Sequence, residues 1–251
     1  MTIAIAGYNS MNRWTDALNI PGEENGNFFK KEGGEDLSRF DTPTSAKYAA
    51  AKSLITPKAP AKSPAEGPKR LSIADLNKKR VEATNRQPTM PLADSAPSAW
   101  KSSDKAWVRL LATFTKSGKA RYDGVINCQT KGSLSPKLRA AIAWVSARED
   151  RALYALDLAA KQLKDLGLSD EEIIGLDEVG LALEPGDRKA LGLVRKLTAT
   201  PAIVTDADVV SLRSALGGPF TDKQVAEIVH QVCNASFFNR VTEAANLPVG
   251  Q

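Results

Sequence analysis

Four side chains in the second half of the chain have the chemistry to transfer protons: Glu149, Tyr154, Asp157 and His230. Carboxylates, phenols and imidazoles act as general acids and bases when their surroundings tune the pKa. Tyr154 and Asp157 are three residues apart, so on a helix they would share a face and could hydrogen-bond a ligand. The alternative for Tyr154 is a core residue with a satisfied hydroxyl. Glu149 belongs to the charge run 148–151, which is equally typical of a solvated corner.

His230 is the chain's one histidine, and it precedes Cys233 by three residues and Asn234 by four. On a helix these side chains would share a face, and a neighbouring imidazole can activate a thiol for nucleophilic attack. The alternative is a surface histidine beside an inert, buried cysteine. The two cysteines, Cys128 and Cys233, stand in neither a CxxC motif nor a zinc-ligand spacing. We therefore predict no disulfide framework, no metal site and no cofactor.

The elements that would position these residues are helices. From residue 103 to 247, apolar side chains recur at intervals of three and four residues. The predicted N-cap residues are Asp104, Ser135, Ser169, Thr205 and Thr221. A helix from about Asp150 is expected to end at Gly167, and the helix capped by Thr205 is expected to reach Leu216. The predicted fold is all-α, with a helical domain over 103–247.

The first hundred residues differ in composition. Residues 20–68 are rich in Gly, Pro, Ser, Lys and Glu, and they carry few large apolar side chains. Such a segment buries too little apolar surface to offset the entropy of ordering it. We predict a long, largely irregular N-terminal arm over 1–100, with a weak strand at Thr2–Ala6 and a short helix near 72–83 capped by Ser72. The arm would lie over its own domain or over a neighbouring subunit.

The net charge is +5, and the Lys and Arg residues between 47 and 80 in this arm have few acids near them. A basic arm could recruit an acidic partner. Nucleic-acid binding is not predicted, because the sequence carries no recognition motif and no basic helix with interleaved aromatic residues. No apolar run is long enough to cross a membrane, and the N-terminus does not resemble a signal peptide. We expect a cytoplasmic protein with no membrane partner.

The stretch 134–160 reads LSPKLRAAIAWVSAREDRALYALDLAA, which predicts a helix, a charged break and a second helix. The segments that follow in order are GLSDEE at 167–172, DRKAL at 187–191, FTDKQV at 220–225 and FFNR at 237–240. Over 103–247 this series resembles the carboxymuconolactone decarboxylase and alkylhydroperoxidase D family. The resemblance implies an alkylhydroperoxidase D-like helical bundle, which usually forms trimers or hexamers, so a homo-oligomer is expected.

In the peroxide-reducing members of this family the second core helix carries Cys-x-x-Cys-x-x-x-His. Those positions are Ala152, Ala155 and Ala159 in this chain. Peroxide reduction needs an ionised thiol, a second thiol to close a disulfide and a proton relay, and alanine supplies none of them. The segment Asp150–Ala155 looks like a cysteine-free branch of the family. Alanines at this spacing also permit close packing of helices.

Three functions remain open from the sequence. The chain is a non-peroxidatic binding or assembly subunit that takes a small-molecule ligand, or it is an enzyme on the same fold. The enzyme would be of the decarboxylase or isomerase type and use Glu149, Tyr154, Asp157 or His230, or it would keep a residual peroxidase-related activity. The third function is a helical interaction protein with a basic arm. A polar cavity beside the three alanines would favour the enzyme, and a filled helix interface would favour assembly.

Overall fold

The computed structural model describes residues 71–102, 104–114, 116–178, 180, 182–199, 204–214 and 219–250. Within these ranges the chain forms nine α-helices and one 3-10 turn, with no strand, which confirms the all-α prediction. The helices are α1 Ile73–Glu82, α2 Ala106–Ala112, α3 Gly118–Thr130, α4 Pro136–Asp150, α5 Leu153–Asp165, α6 Asp170–Gly175, α7 Pro185–Thr198, α8 Asp206–Arg213 and α9 Asp222–Ala244. The predicted strand at Thr2–Ala6 and the arm before residue 71 lie outside the described residues.

Helix α4 is the centre of the bundle and packs against α3, α5, α7 and α9. Its predicted apolar face, Leu138, Ile142 and Val145, is almost completely buried. The other sides of α4 carry alanines and Trp144, and these residues are buried too. This is expected of a helix inside a core rather than at its surface. Because α5 folds back on α4 and α9 packs against both, these three helices fix the geometry of the space between them.

The charged break between α4 and α5 is present, but α5 begins three residues later than predicted. Arg151 adopts a left-handed conformation with φ +58°, which ends α4 after Asp150. The next residue, Ala152, is extended and donates its N–H to the carbonyl of Ala147 at 2.9 Å. The start predicted at Asp150 is therefore wrong, because this turn separates the two helices. The predicted end is confirmed by Gly167, whose φ is +88°.

The predicted N-caps that the structure confirms are Ser135, Ser169, Thr205 and Thr221. The cap predicted at Asp104 is wrong. A turn closed by the Lys105 N–H and the Ser102 carbonyl moves the helix start one residue on, so α2 begins after Lys105. Helix α8 ends at Arg213, since Ser214 already leaves the helical conformation, and the predicted end at Leu216 lies outside the described residues.

Helix α1 is capped by Ser72 as predicted, with the Ser72 hydroxyl accepting the N–H of Asp75 at 3.1 Å. Residues 72–100, assigned to the arm from composition, pack in the same compact unit as the other described helices. An ion pair between Arg80 and Asp157 joins α1 to α5. Past the 3-10 turn Ala83–Asn85, the chain continues along the C-terminal end of α9.

Candidate functional site

A cavity of about 330 Å³ lies between α3, α4, α5 and α9. Its apolar wall consists of Val125, Pro136, Ala140, Ala143, Ala155, Leu158, Ala159, Leu166, Ala235 and Phe238. Its polar wall consists of Cys128, Gln129, Thr130, Arg139, Gln162, Asp165, Gln231, Asn234 and Asn239. Small-molecule sites usually combine an apolar wall with polar groups that fix the orientation of the ligand.

Two of the three family-motif positions face this cavity. Ala155 and Ala159 are one turn apart on α5, both are buried, and both lie in the cavity wall. Ala152 is buried too, but it precedes α5 as the N-cap and does not line the cavity. The space beside the motif is therefore an open hollow, and the small side chains of Ala155 and Ala159 help to keep it open.

Arg139, in the second turn of α4, is the one arginine or lysine among the described residues of the wall. Its side chain is nine-tenths buried, with 9% of the residue exposed. Its Nη1 donates to the carbonyl of Leu134 at 2.7 Å. Its Nε is buried and has no hydrogen-bond partner among the described residues. Buried polar groups are almost always paired, so this guanidinium has binding capacity left over.

Glu227 is the acidic residue that acts on Arg139 through space. Its carboxylate accepts the Ser133 N–H and hydroxyl, each at 2.7 Å, and the Leu134 N–H at 3.3 Å. Burial raises the pKa of Glu227, but the hydrogen bonds from Ser133 and Leu134 and the positive charge of Arg139 together hold that pKa below its usual value. Glu227 is thus an ionised carboxylate that is committed to the loop before α4.

Two of the wall's amides are engaged with neighbouring protein groups, and its thiol is inert. Gln231 donates to the carbonyl of Cys128 at 2.8 Å, and Asn239 donates to Asp150 at 2.9 Å. Burial raises the pKa of the Cys128 thiol to about 12, with a further contribution from Glu227. A thiol with this pKa stays protonated at neutral pH and is a poor nucleophile. Neither amide nor thiol therefore supplies a reactive group.

The four acid–base residues predicted from sequence do not line this cavity. The carboxylate Oε1 of Glu149 lies 3.9 Å from Nε of Arg195. Asp157 forms ion pairs with Arg80 and Lys161. His230 is exposed and borders a second cavity of about 320 Å³, which shares Cys128 and Gln231 with the first.

Tyr154 is a core residue rather than a cavity residue. It is 2% exposed, and its ring lies 6.4 Å from that of Phe238. Burial raises the pKa of its phenol to about 12, and the negative charge of Asp157 raises it as well. A hydrogen bond with the Trp107 backbone lowers this pKa but does not offset the burial. Tyr154 and Asp157 are thus neighbours, as their spacing predicted, but both are held by protein groups.

His230 and Cys233 differ in burial: the His230 side chain is exposed, whereas Cys233 is buried, with only 7% of the residue exposed.

Arg148, from the same charge run as Glu149, is fully buried. It donates hydrogen bonds to the carboxylate of Asp177 through Nε at 2.9 Å and Nη2 at 3.2 Å. This bidentate pair joins α4 to the segment after α6 and lies away from the cavity wall. Its role is to hold the fold together.

Sequence reasoning missed Arg139. The signal was a second stripe on α4, where Pro136, Arg139, Ala140 and Ala143 recur at intervals of three and four residues. Small residues on that stripe leave space beside Ala155 and Ala159, and Arg139 is the one charged residue on the stripe.

Among the described residues, no group of histidine, cysteine, aspartate or glutamate side chains has the arrangement of a metal site. In the same part of the chain, no helix is both long and apolar enough to cross a membrane. The trimer or hexamer expected from the family resemblance stays a prediction.

Solved structures with the same fold include a peroxidase-related protein from Silicibacter sp. TM1040 and the debrominase Bmp8. The Silicibacter protein is 21% identical, with a TM-score of 0.53 over 65% of this chain and 95% of its own. A cysteine-to-alanine variant of Bmp8 in complex with 2,3,4-tribromopyrrole is 13% identical, with a TM-score of 0.52 over 75% of this chain and 94% of its own. Apo Bmp8 gives the same identity and TM-score over 72% of this chain.

No protein-family profile matches the chain, and no curated protein sequence matches it. At these identities the structural similarities establish the fold alone. The chain has the alkylhydroperoxidase D-like helical fold that its segments from 134 to 240 predicted.

Proposed function

We propose that this chain is a non-peroxidatic protein of the alkylhydroperoxidase D-like fold that binds a small organic molecule in the cavity between α3, α4, α5 and α9. One observation carries the proposal: Ala155 and Ala159 border a hollow of about 330 Å³ rather than a filled helix interface. This volume lies at the lower end of the range for small-molecule sites, on the order of 300–1,000 Å³.

The chemistry of the wall argues against peroxide reduction. A peroxidatic cysteine must be ionised and must have a second thiol near it. Cys128 is in the wall, but its pKa is raised to about 12. Cys233 lies on α9 outside the wall and is also buried.

The debrominase Bmp8 has been captured with 2,3,4-tribromopyrrole. That complex supports the idea that this fold can hold a small, flat ring compound. The enzyme alternative has less support, because Glu149, Tyr154, Asp157 and His230 lie outside the cavity wall. The assembly role and the basic-arm interaction role remain predictions.

The binding test compares two cavities. Indole is titrated into the full chain and its Kd is measured by isothermal titration calorimetry. Ala159→Leu fills the proposed site and should weaken binding by about tenfold or more, since the added atoms occupy the ligand's space. Ala226→Leu is the matched control, because Ala226 borders the second cavity. Equal Kd values for the wild type and Ala159→Leu would refute the proposal, as would the absence of saturable binding.

A separate assay tests the non-peroxidatic part. The full chain is incubated with an organic hydroperoxide and a dithiol donor, and the loss of hydroperoxide is followed. We expect no turnover above the rate of the donor alone. Turnover that disappears in Cys128→Ser would show that this thiol is active after all, and turnover that survives both Cys128→Ser and Cys233→Ser would reveal a mechanism without thiols.

A further inference from the structure

The charge of Arg139 is unusual for its surroundings. A cationic side chain that is nine-tenths buried normally has a carboxylate partner, because removing an uncompensated charge from water is costly. Arg139 forms no ion pair with any described residue, and its hydrogen bond goes to the neutral carbonyl of Leu134. Its Nε has no partner among the described residues.

The nearby acids do not neutralise Arg139 fully. The carboxylate of Glu227 is occupied by the backbone and hydroxyl of the loop before α4, and it lowers the local potential without pairing with the guanidinium. Asp165 is the one acid among the described wall residues, and it is exposed at the end of α5. Arg139 also lies near the N-terminus of α4, where the helix dipole is positive. The cavity therefore combines an apolar wall with one under-compensated positive charge.

We infer that the ligand of this cavity is an organic anion, with a small apolar body and a carboxylate that Arg139 binds. The inference rests on the proposed small-molecule function and specifies its ligand class. The apolar body lies against Ala155, Ala159 and Phe238. The carboxylate accepts hydrogen bonds from the guanidinium N–H groups of Arg139 that do not donate to the Leu134 carbonyl. A guanidinium suits this role because it offers several N–H donors in one plane to a carboxylate.

The test uses two probes of the same shape that differ in charge, indole-2-carboxylate and indole-2-carboxamide. Their Kd values are measured by calorimetry on the full chain. For the wild type we expect the carboxylate to bind about tenfold more tightly or better, as is typical of a charge-assisted pair.

Two variants locate the preference. Arg139→Gln should reduce the preference to about twofold or less and leave the carboxamide Kd within about threefold of the wild type. Arg121→Gln is the matched control: it removes one positive charge outside the cavity wall, where Arg121 lies over the ring of Phe237. This control should keep the preference. Circular dichroism verifies that both variants fold.

The outcomes separate this inference from the proposed function. If both probes bind the wild type equally well, the anion inference is wrong and small-molecule binding stands. If Arg139→Gln keeps the preference for the carboxylate, the anion is held elsewhere and the inference is again wrong. If neither probe binds, both proposals are wrong. Because the comparison of the two probes on the wild type needs no variant, a misfolded Arg139→Gln protein would still leave the inference open to refutation.

Discussion

The carboxylate of Glu243, on α9, accepts the backbone N–H of Tyr154 at the start of α5, with 3.4 Å between Oε1 and N. The N-cap residue of α5, Ala152, has no side chain that could accept this bond. Arg86 donates to the same carboxylate at 3.1 and 3.0 Å. One residue from a distant helix thus caps α5 and holds the segment that follows α1.

This relationship predicts a loss of stability in Glu243→Ala. The substitution removes a helix cap and leaves the buried end of α5 and the Arg86 guanidinium without their acceptor. We expect the free energy of unfolding to fall by about 1–2 kcal/mol, as for other N-cap deletions. Urea denaturation followed by circular dichroism measures it. Glu82→Ala, at an exposed position on α1, is the control and should change stability by less than about 0.5 kcal/mol. Equal losses in the two variants would mean that the cap contributes nothing specific.

The caps show which parts of this fold are local and which are not. Ser169 and Thr221 form capping boxes with residues three positions on, so the signal lies within four residues of sequence. The start of α5 depends on Glu243, which is 89 residues from Tyr154. The left-handed conformation at Arg151 is adopted by a residue other than glycine, so the sequence does not indicate the turn. The helix start was therefore predicted at Asp150, because nothing near it in sequence shows where the helix is capped.

A second prediction concerns the docking of α1 on α5. Arg80 and Asp157 form an ion pair in which the Asp157 side chain is 10% exposed and the Arg80 side chain 35%. A double-mutant cycle with Arg80→Met and Asp157→Asn should give a coupling energy of about 0.5–1 kcal/mol, because burial of Asp157 limits screening while Arg80 stays partly exposed to water.

The control for that cycle is the exposed pair Lys119 and Asp123 on α3, which are four residues apart at 2.6 Å. Its coupling should be about 0.3–0.5 kcal/mol. Additive effects of Arg80→Met and Asp157→Asn would show that the pair does not hold α1 in place. Faster protease cleavage within α1 in Arg80→Met would independently support the docking.

The candidate site was less predictable than the fold. Periodicity identified the buried face of α4, since Leu138, Ile142 and Val145 follow one another along a single stripe. Whether Ala155 and Ala159 meet a filled interface or a hollow depends on the side chains of α3 and α9, which are remote in sequence. The same holds for Arg139, since its burial without an acidic partner is a property of the packed helices. Chemistry-bearing residues such as Tyr154 and Asp157 were visible in the sequence, but their protein partners were not.

A third prediction concerns the thiol in the cavity wall. Burial raises the pKa of Cys128 to about 12, so only a fraction on the order of 10⁻⁴ is thiolate at pH 8. In Cys233→Ser, the rate of iodoacetamide alkylation at Cys128, followed by mass spectrometry, should rise about tenfold per pH unit from pH 8 to 10 without a plateau. A plateau near pH 9 would indicate an ordinary, accessible thiol. Saturation with a cavity ligand should slow the reaction further.

The final prediction is a loss of stability at alkaline pH that depends on Tyr154. Burial raises the pKa of this phenol to about 12 in the folded chain, whereas in the unfolded chain the phenol has its ordinary pKa of 10.0. Between these two values the unfolded chain has released its proton while the folded chain still holds it, so the free energy of unfolding falls as the pH rises through this window. Below pH 10 the phenol is protonated in both states and contributes no pH dependence. Urea denaturation at pH 9.0 and 10.8 should therefore show a smaller decrease in Tyr154→Phe than in the wild type. Identical decreases would mean that the phenol titrates normally in the folded chain and that its surroundings between Trp107 and Phe238 do not exclude the charge.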